Sequence, residues 1–278
     1  MTQLNCEEIL PNLIESFKKG IHYADPILDL DAIAFPDIEL LNKYPWRKDT
    51  AWVLTSRGCP NQCSYCQKFF GDRVRLRSVA NILGEINRYG DKMIEIIDDA
   101  FTIDKARVYD FCEHVPKINY RLIALSNGTI ATTLNEEMVE ALARVRLTNM
   151  MIGLESIDRQ VLKLAKRNIY REDCEKVIKW CKKNNITIGV FMIIGLPGSS
   201  FESDIKSIQW LSSQNVFASY GVPIPFKNTF LWDWVNKNGK WLTNPLDYED
   251  YPPKFEMDNY PGSKIQEAFE FAQRTRLV

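Results

Sequence analysis

The sequence predicts an α/β fold, a partial (β/α)6 TIM-like barrel with parallel strands, a short N-terminal lead-in and a C-terminal extension. Short apolar runs, each suited to one strand, alternate with stretches whose apolar residues recur at the i, i+3, i+4, i+7 spacing of an amphipathic helix. Six such units favour a parallel sheet with right-handed crossovers, two short of the eight in a closed barrel. The predicted strands are Ala51–Thr55, Met93–Ile97, Tyr120–Leu125, Asn149–Leu154, Thr187–Ile194 and Val216–Val222.

The helices between these strands begin after residues that suit a helix N-terminus. Ser, Asp and Asn side chains can accept hydrogen bonds from the backbone N–H groups that the first turn leaves without partners. A further helix is predicted after Tyr170, and another over Thr229–Asn238 is expected to end at Gly239 as a C′ glycine. Ser263 and Gln266 have the spacing of a capping box and predict one last helix. The other predicted caps are Ser78, Asp104, Asn135 and Ser200.

Three segments are expected along the chain. Residues 1–50 are broken by four prolines and lack a sustained pattern, so they are expected to form a lead-in packed on the barrel rather than a domain. Residues 51–239 are the predicted barrel, and residues 240–278 are an aromatic-rich extension with a helix. The aromatic stretch from Trp241 to Tyr260 is a candidate cover for a substrate.

Composition excludes several classes of function. A formal net charge of −1 argues against a basic nucleic-acid-binding surface. The longest apolar run, Ile188–Leu196, falls well short of the ~20 residues of a membrane span. The first residues contain Glu7 and Glu8 and show no basic start followed by an apolar run, as a signal peptide would. We therefore expect a cytoplasmic protein that binds neither nucleic acid nor membrane.

A cluster of three cysteines, Cys59, Cys63 and Cys66, follows the first predicted strand with C-x3-C-x2-C spacing. In a parallel barrel this loop lies at the carboxyl ends of the strands, where active sites are built. Structural zinc sites and electron-transfer clusters usually take four protein ligands, so three thiolates leave one metal position open. The alternative is a zinc site completed by His114 or Cys112. The cysteines expected to be core thiols are Cys6, Cys112, Cys174 and Cys181.

The motifs around this cluster closely resemble the radical S-adenosylmethionine (SAM) superfamily. The resemblance covers about residues 27–240 and is closest to the branch that usually carries an N-terminal cobalamin-binding domain. Each motif alone is weak evidence, but their order around C-x3-C-x2-C is specific. The motifs are Leu28–Pro36, Thr55–Cys66 with Arg75–Ser78, Ile97–Thr102, Ile152–Ser156 and Ile194–Gly198. One departure is Ser199, where similar proteins commonly have Glu.

The resemblance implies that the three cysteines hold a [4Fe-4S] cluster and that SAM binds its open iron. The reduced cluster would cleave SAM to methionine and a 5′-deoxyadenosyl radical, which abstracts hydrogen from a substrate. Asp98 or Asp99 would accept the SAM amino group. Lys166 would lie near the SAM carboxylate, although a solvated face with Lys163 and Arg167 is an equal alternative. The other implied contacts are Tyr65 and Gly195 with adenine, Ser126 and Asn127 with the methionine part, and Glu155 with the ribose or a cation.

The reaction after SAM cleavage is open at this stage. The cobalamin domain of the branch needs more residues than the 50 before the barrel, so cobalamin is allowed but not favoured. Epimerisation, dehydrogenation, cyclisation or rearrangement of a small molecule or peptide is therefore expected, with an electron donor such as flavodoxin or ferredoxin. The alternatives are a cobalamin-linked methyltransferase whose cobalamin domain is supplied in trans, and a non-catalytic iron–sulfur or zinc protein.

Overall fold

A computed structural model describes residues 26–43, 49–249 and 252–275, so the predictions for Cys6 and for residues 1–25 lie outside the described residues. The described lead-in contains a short 3-10 helix, Leu30–Ala32, followed by helix α1, Ile38–Asn42. Its Asp31 carboxylate accepts a hydrogen bond from the Ser78 N–H at 2.9 Å. This contact attaches the lead-in to the start of the first barrel helix.

Six strands form one parallel sheet with the order β1-β4-β5-β6-β7-β8, which confirms the predicted fold class. Two further pairs are antiparallel, β2 with β3 and β9 with β10. The strands are β1 Thr50–Val53, β2 Ser56–Arg57, β3 Arg75–Leu76, β4 Met93–Ile96, β5 Leu122–Thr129, β6 Leu147–Glu155, β7 Thr187–Ile193, β8 Phe217–Gly221, β9 Lys240–Trp241 and β10 Phe255–Glu256.

The helices confirm the predicted caps. Each of the four predicted cap side chains accepts a hydrogen bond from a backbone N–H in the first turn of its helix. Helix α5 was not predicted, and the Asp158 carboxylate caps it. The helices after α1 are α2 Val79–Tyr89, α3 Lys105–His114, α4 Glu136–Arg144, α5 Arg159–Leu164, α6 Arg171–Lys183, α7 Phe201–Ser213, α8 Phe230–Asn238 and α9 Gly262–Thr275.

The last predicted helix start and the predicted conformation of Gly239 were wrong, although the helix before Gly239 ends at Asn238 as expected. The strands differ from their predicted bounds by up to four residues, most of all β5, which continues to Thr129. Gly239 is extended, with φ −110°, because the chain passes directly from α8 into β9. Ser263 lies inside α9 rather than before it, and the Pro261 carbonyl accepts the N–H groups of Lys264 and Ile265. Tyr120 precedes β5, because its buried hydroxyl donates to the Val145 carbonyl at 3.0 Å.

The chain divides into two compact units, residues 1–60 with 68–149 and residues 61–67 with 150–278. In the first unit, buried aliphatic side chains of β1, β4 and β5 form the core with α2, α3 and α4. In the second unit, α9 packs on α7 and β8, and Cys174 and Cys181 are fully buried in α6. Burial raises the pKa of both thiols to about 12, which confirms them as core thiols. Among the described helices, none is long and apolar enough to span a membrane.

Candidate active site

The first half of the cysteine loop follows β2 and is held by backbone contacts. Gly58 has φ +95°, and a Cβ at this position would lie 2.3 Å from the Arg73 carbonyl oxygen. A residue with a side chain would therefore clash there. The next residue, Cys59, donates its N–H to the Gly71 carbonyl at 3.1 Å and has a half-buried side chain. The loop backbone thus fixes Cys59 after the first strand, as the sequence predicts.

Asp98, one of the two candidates for the SAM amino group, is an internal anchor for this loop. Its fully buried carboxylate accepts hydrogen bonds from the Thr55 N–H at 2.5 Å, the Thr55 hydroxyl at 2.5 Å and the Ser56 hydroxyl at 2.6 Å. Arg107 Nη2 lies 3.7 Å from the same carboxylate. Burial raises the pKa of Asp98, while these hydrogen bonds and Arg107 act against the rise. Both carboxylate oxygens already have protein partners.

Asp99, the other candidate, has an exposed side chain and hydrogen-bonds to the Gly58 backbone. It therefore contacts the residue directly before Cys59 while keeping access to solvent. Nearby, Gly128 has φ +73°, and a Cβ there would lie 2.5 Å from the Asp98 carbonyl oxygen. The close approach of these backbones at the ends of β4 and β5 requires glycine. It holds the Asp98–Asp99 segment against the end of β5.

Ser126 and Asn127, the candidates at the end of β5, differ in environment. The Ser126 hydroxyl donates to Glu95 Oε1 at 2.5 Å, and the Trp52 indole donates to Glu95 Oε2 at 2.6 Å. Ser126 is thus part of a polar row across β1, β4 and β5. Asn127 has an exposed side chain.

The second half of the cysteine loop forms a turn in the second unit. The Cys66 N–H donates to the Cys63 carbonyl at 3.2 Å. Between them, the Ser64 N–H donates to the Ala165 carbonyl at 2.9 Å, and the Leu231 N–H donates to the Ser64 carbonyl at 2.8 Å. The turn that presents Cys63 and Cys66 is therefore fixed on both sides by backbone hydrogen bonds.

Arg167 is the residue at the candidate site that sequence reasoning missed. The expected alternative of a solvated face holds for Lys163 and Lys166, which are exposed. It does not hold for Arg167, whose side chain is only 10% exposed. Its Nη1 lies 3.3 Å from the Cys63 sulfur, and its Nη2 donates to the Gly153 carbonyl at 2.5 Å. Burial acts to lower the pKa of Arg167, but Tyr65, Glu155 and Cys63 raise it above its ordinary value. The guanidinium therefore stays charged beside the thiol.

Glu155 and Tyr65 complete this buried group. Glu155 ends β6 with φ +76°, and its Oε1 lies 3.8 Å from Arg167 Nη2. Burial raises the pKa of Glu155, while Arg167 and a hydrogen bond with Tyr65 lower it. A Cβ at Gly153 would lie 2.6 Å from Glu155 Oε1, which explains the glycine two residues before the carboxylate. Tyr65 also packs against a cluster that contains Val161, Ala165 and Leu196.

Lys166 lies on the surface, although it directly precedes the buried Arg167. Its side chain is exposed, and its Nζ lies 2.9 Å from the centre of the Phe230 ring. With φ +54° at Lys166, the backbone turns so that neighbouring cationic side chains have different environments. The only sequence signal for choosing between Lys166 and Arg167 was the expectation that Glu155 contacts the ribose or a cation. Sequence spacing alone could not assign that partner to Arg167.

Gly195 begins a turn whose backbone is hydrogen-bonded to the buried carboxylate of Asp204. It has φ +86°, and its N–H donates to Asp204 Oδ2 at 2.8 Å. Burial raises the pKa of Asp204 to about 7. Ser199, the departure from the family pattern, is fully buried and donates its hydroxyl to the Leu196 carbonyl at 2.8 Å. The turn is therefore closed without the carboxylate that similar proteins have there.

The surroundings of Cys63 fit a bound acceptor, although the structure does not gather the three cysteines into one metal-binding group. Among the described residues, no three or more His, Cys, Asp and Glu side chains form a group that could hold a metal ion, and Cys59 belongs to the first unit while Cys63 and Cys66 belong to the second. The buried Nε of Arg167 has no hydrogen-bond partner. Such an N–H is costly to bury, so it points to an acceptor on a bound group.

Comparisons with known proteins agree with this chemistry. A family model described as the radical SAM superfamily matches residues 53–211, more than half of the chain. This range contains the three cysteines, Asp98, Glu155 and Arg167. It also contains the Gly195 turn. The family match therefore includes the residues that form the Arg167 contact with Cys63.

Individual relatives are longer than this chain. A protein of Pyrococcus horikoshii described as an uncharacterized methyltransferase is 27% identical over 251 residues, which are 86% of this chain and 54% of that protein. The chain thus spans about half the length of the curated relatives it matches.

Two solved structures are similar in fold. A radical SAM methyltransferase from Kitasatospora setae, with cobalamin and a [4Fe-4S] cluster bound, has a TM-score of 0.62 and 18% identity, covering 71% of this chain and 39% of that one. A cobalamin-dependent SAM radical enzyme with aqua-cobalamin bound has a TM-score of 0.61 and 16% identity, covering 98% of this chain and 44% of that one.

Proposed function

Because the chain belongs to the radical SAM superfamily and is an enzyme that uses a [4Fe-4S] cluster and SAM, we propose that it abstracts a hydrogen atom from a small molecule or a peptide. When bound, these cofactors supply one-electron cleavage of a SAM carbon–sulfur bond and a 5′-deoxyadenosyl radical. After hydrogen abstraction, the substrate would undergo epimerisation, dehydrogenation, cyclisation or rearrangement. The protein's own contribution is to hold the cofactors and to keep water away.

The observation that carries the proposal is the partly buried contact between Arg167 and Cys63. Cys59, Cys63 and Cys66 would hold the cluster, and the Arg167 guanidinium lies 3.3 Å from the Cys63 sulfur, where its N–H groups can donate to a ligand sulfur. Glu155 and Gly153 fix the guanidinium from the other side. A charged side chain is expensive to bury, so its retention beside a predicted ligand favours a role at the bound group.

The contacts of Asp98 and Asp99 support one of these two candidates for the SAM amino group. We assign the SAM amino group to Asp99, because the carboxylate of Asp98 is already occupied by Thr55 and Ser56. Ser126, Asn127, Glu155 and Tyr65 keep their proposed roles. Gly195 keeps its role beside adenine, with Asp204 holding its backbone in place.

We assign the role of the basic residue near the SAM carboxylate to Arg167 instead of Lys166. Arg167 is buried and carries an Nε without a hydrogen-bond partner, whereas Lys166 is exposed and lies over the Phe230 ring. The barrel that holds these residues is proposed to extend over 51–239, with a lead-in before it and an extension after it.

Cobalamin-linked methyl transfer is the second candidate. It is favoured by the similar proteins, since the Pyrococcus horikoshii relative is described as a methyltransferase and both structures of similar fold contain cobalamin. The match covers 54% of that relative, so the part of such a protein that would bind cobalamin is not assigned to this chain. Under this alternative the cobalamin domain is supplied from outside residues 1–278.

The test is anaerobic reconstitution with iron and sulfide, followed by SAM and dithionite. The proposal expects a brown protein that releases 5′-deoxyadenosine, and no release from the Cys63→Ala variant. Cys174→Ala is the matched control, because Cys174 is a core thiol of the same unit. Zinc at one equivalent without SAM cleavage would support the non-catalytic alternative. Transfer of label from methyl-labelled SAM to a product, in the presence of cobalamin, would favour methyl transfer.

A further inference from the structure

We propose that a basic, partly apolar surface beside the Cys63–Cys66 turn docks the one-electron donor, a small acidic flavin or iron–sulfur protein. This inference rests on the proposed function, which requires an electron from outside the chain. The surface, here called the donor patch, lies in the second unit. It consists of Leu164 and Phe230 together with Lys163, Lys166 and Lys227.

The two large apolar side chains of the donor patch are open to solvent. Leu164 is 47% exposed and Phe230 is 54% exposed. Lys166 Nζ lies over the Phe230 ring, 2.9 Å from its centre, so one cation is held at the apolar centre. Lys163 directly precedes Leu164, and Lys227 lies in the turn before α8. Both have exposed side chains.

The donor patch is connected to the cysteine turn through two backbone hydrogen bonds. Ser64, which follows Cys63, donates its N–H to the carbonyl of Ala165 at 2.9 Å, and its carbonyl accepts the N–H of Leu231 at 2.8 Å. Ala165 lies between Leu164 and Lys166, and Leu231 follows Phe230. Both sides of the donor patch are therefore one residue from a direct contact with the segment that carries two of the predicted cluster ligands.

The charge of the donor patch and its small apolar area both favour a small acidic electron donor as the bound partner. Three exposed lysines attract an acidic partner and accelerate its association, although the whole chain has a formal charge of −1. The nearest acidic groups in sequence are Asp158, whose carboxylate caps α5, and the exposed Asp233 of α8. Two apolar side chains make a small centre, which suits the small interfaces of transient electron-transfer complexes. A permanently docked domain usually needs a larger apolar surface.

The experiment compares two electron sources for the reconstituted enzyme. Release of 5′-deoxyadenosine is measured with dithionite and, separately, with a reduced bacterial flavodoxin at increasing concentration. The variant combines Lys163→Glu, Lys227→Glu and Phe230→Ala. We expect its apparent KM for flavodoxin to rise about tenfold, with an unchanged dithionite rate, because charge reversal removes the electrostatic attraction. Calorimetric binding of oxidised flavodoxin should weaken in parallel and lose its dependence on ionic strength.

The control variant combines Lys179→Glu and Phe217→Ala, an exposed lysine and an exposed phenylalanine of the same unit outside the donor patch. It should behave as the wild type with both electron sources. If the triple variant folds poorly, Lys163→Glu and Lys227→Glu are tested singly, since both change only exposed charge.

Either of two kinetic results would overturn the donor patch. One is a flavodoxin KM equal to that of the wild type, and the other is an equal loss of rate with both electron sources. A dimer that disappears on Phe230→Ala substitution would also overturn it, since a second copy of the chain would then cover the surface. Failure of the proposed function is distinguishable, because the wild type would then release no 5′-deoxyadenosine even with dithionite.

Discussion

Replacing Arg167 with methionine should destabilise the protein even without any cofactor. Methionine keeps much of the side-chain volume but leaves the buried carboxylate of Glu155 without its cation, which lies 3.8 Å away. It also removes the 2.5 Å hydrogen bond to the Gly153 carbonyl. Breaking one partner of a buried ion pair costs about 3–5 kcal/mol of unfolding free energy. For a protein of this size, that corresponds to a decrease in Tm of roughly 10 °C.

A second variant separates the lost pair from a general packing defect. Combining Arg167→Met with Glu155→Gln removes the unpaired charge, so part of the lost stability should return, with a coupling of about 1–3 kcal/mol. The deficit of the single variant should also shrink as pH falls. Burial already raises the pKa of Glu155 above 4.5, and without Arg167 it rises further, so the folded state takes up the proton first.

The assay is urea unfolding of the apoprotein under anaerobic, reducing conditions, with Lys163→Met as the control because Lys163 is exposed. The free energy of unfolding should fall strongly for Arg167→Met and hardly at all for Lys163→Met. Equal stability of the two variants would refute the buried pair. A deficit that is independent of pH would show that Glu155 is not the group left unpaired.

Three further changes test other parts of the site. Gly153→Ala should lower Tm and weaken iron incorporation, because its Cβ would lie 2.6 Å from Glu155 Oε1; unchanged values would contradict the close contact. Gly58→Ala should reduce iron bound per chain, since its Cβ would meet the Arg73 carbonyl at 2.3 Å; full iron loading would speak against this. Asp204 has a pKa raised to about 7, so stability should decrease as pH rises from about 4 to 7, and Asp204→Asn should flatten the Tm profile there.

Much of the fold is predictable because local and global signals agree. All four predicted cap side chains cap their helices, namely Ser78, Asp104, Asn135 and Ser200. Capping involves residues within one helical turn, so it can be predicted from the local sequence. The failures depend on tertiary contacts. Tyr120 has strong strand character, but its hydroxyl is bound to the Val145 carbonyl outside the strand. Gly239 has the residue type of a C′ glycine, but the next strand begins immediately.

The candidate site was predictable where it depends on spacing and not where it depends on orientation. The cysteine spacing and the order of motifs predicted the family, which the family model confirms. Two pairs of neighbouring residues with the same charge could not be separated in the sequence. Asp98 is buried and Asp99 is exposed, while Lys166 is exposed and Arg167 is buried. These differences arise from backbone turns and from partners distant in sequence, which spacing does not encode.

The tail after the barrel also shows the difference between composition and packing. Its aromatic content suggested a cover for substrate, and that role stays a prediction. Tyr260 is fully buried, with its hydroxyl beside Asp204, and Ile265 of α9 would lie 2.8 Å from a Cβ at Gly195. This part of the tail therefore supports the turn proposed for adenine. Composition alone gave no indication of that contact.

The central claim is that Cys59, Cys63 and Cys66 hold a cluster with one iron open to SAM. The most direct measurement is the electron paramagnetic resonance spectrum of the reduced, reconstituted protein, recorded before and after addition of SAM. The account predicts a [4Fe-4S]⁺ signal that changes when SAM binds and that Cys63→Ala abolishes. A signal that SAM leaves unchanged, or no iron-based signal at all, would contradict it.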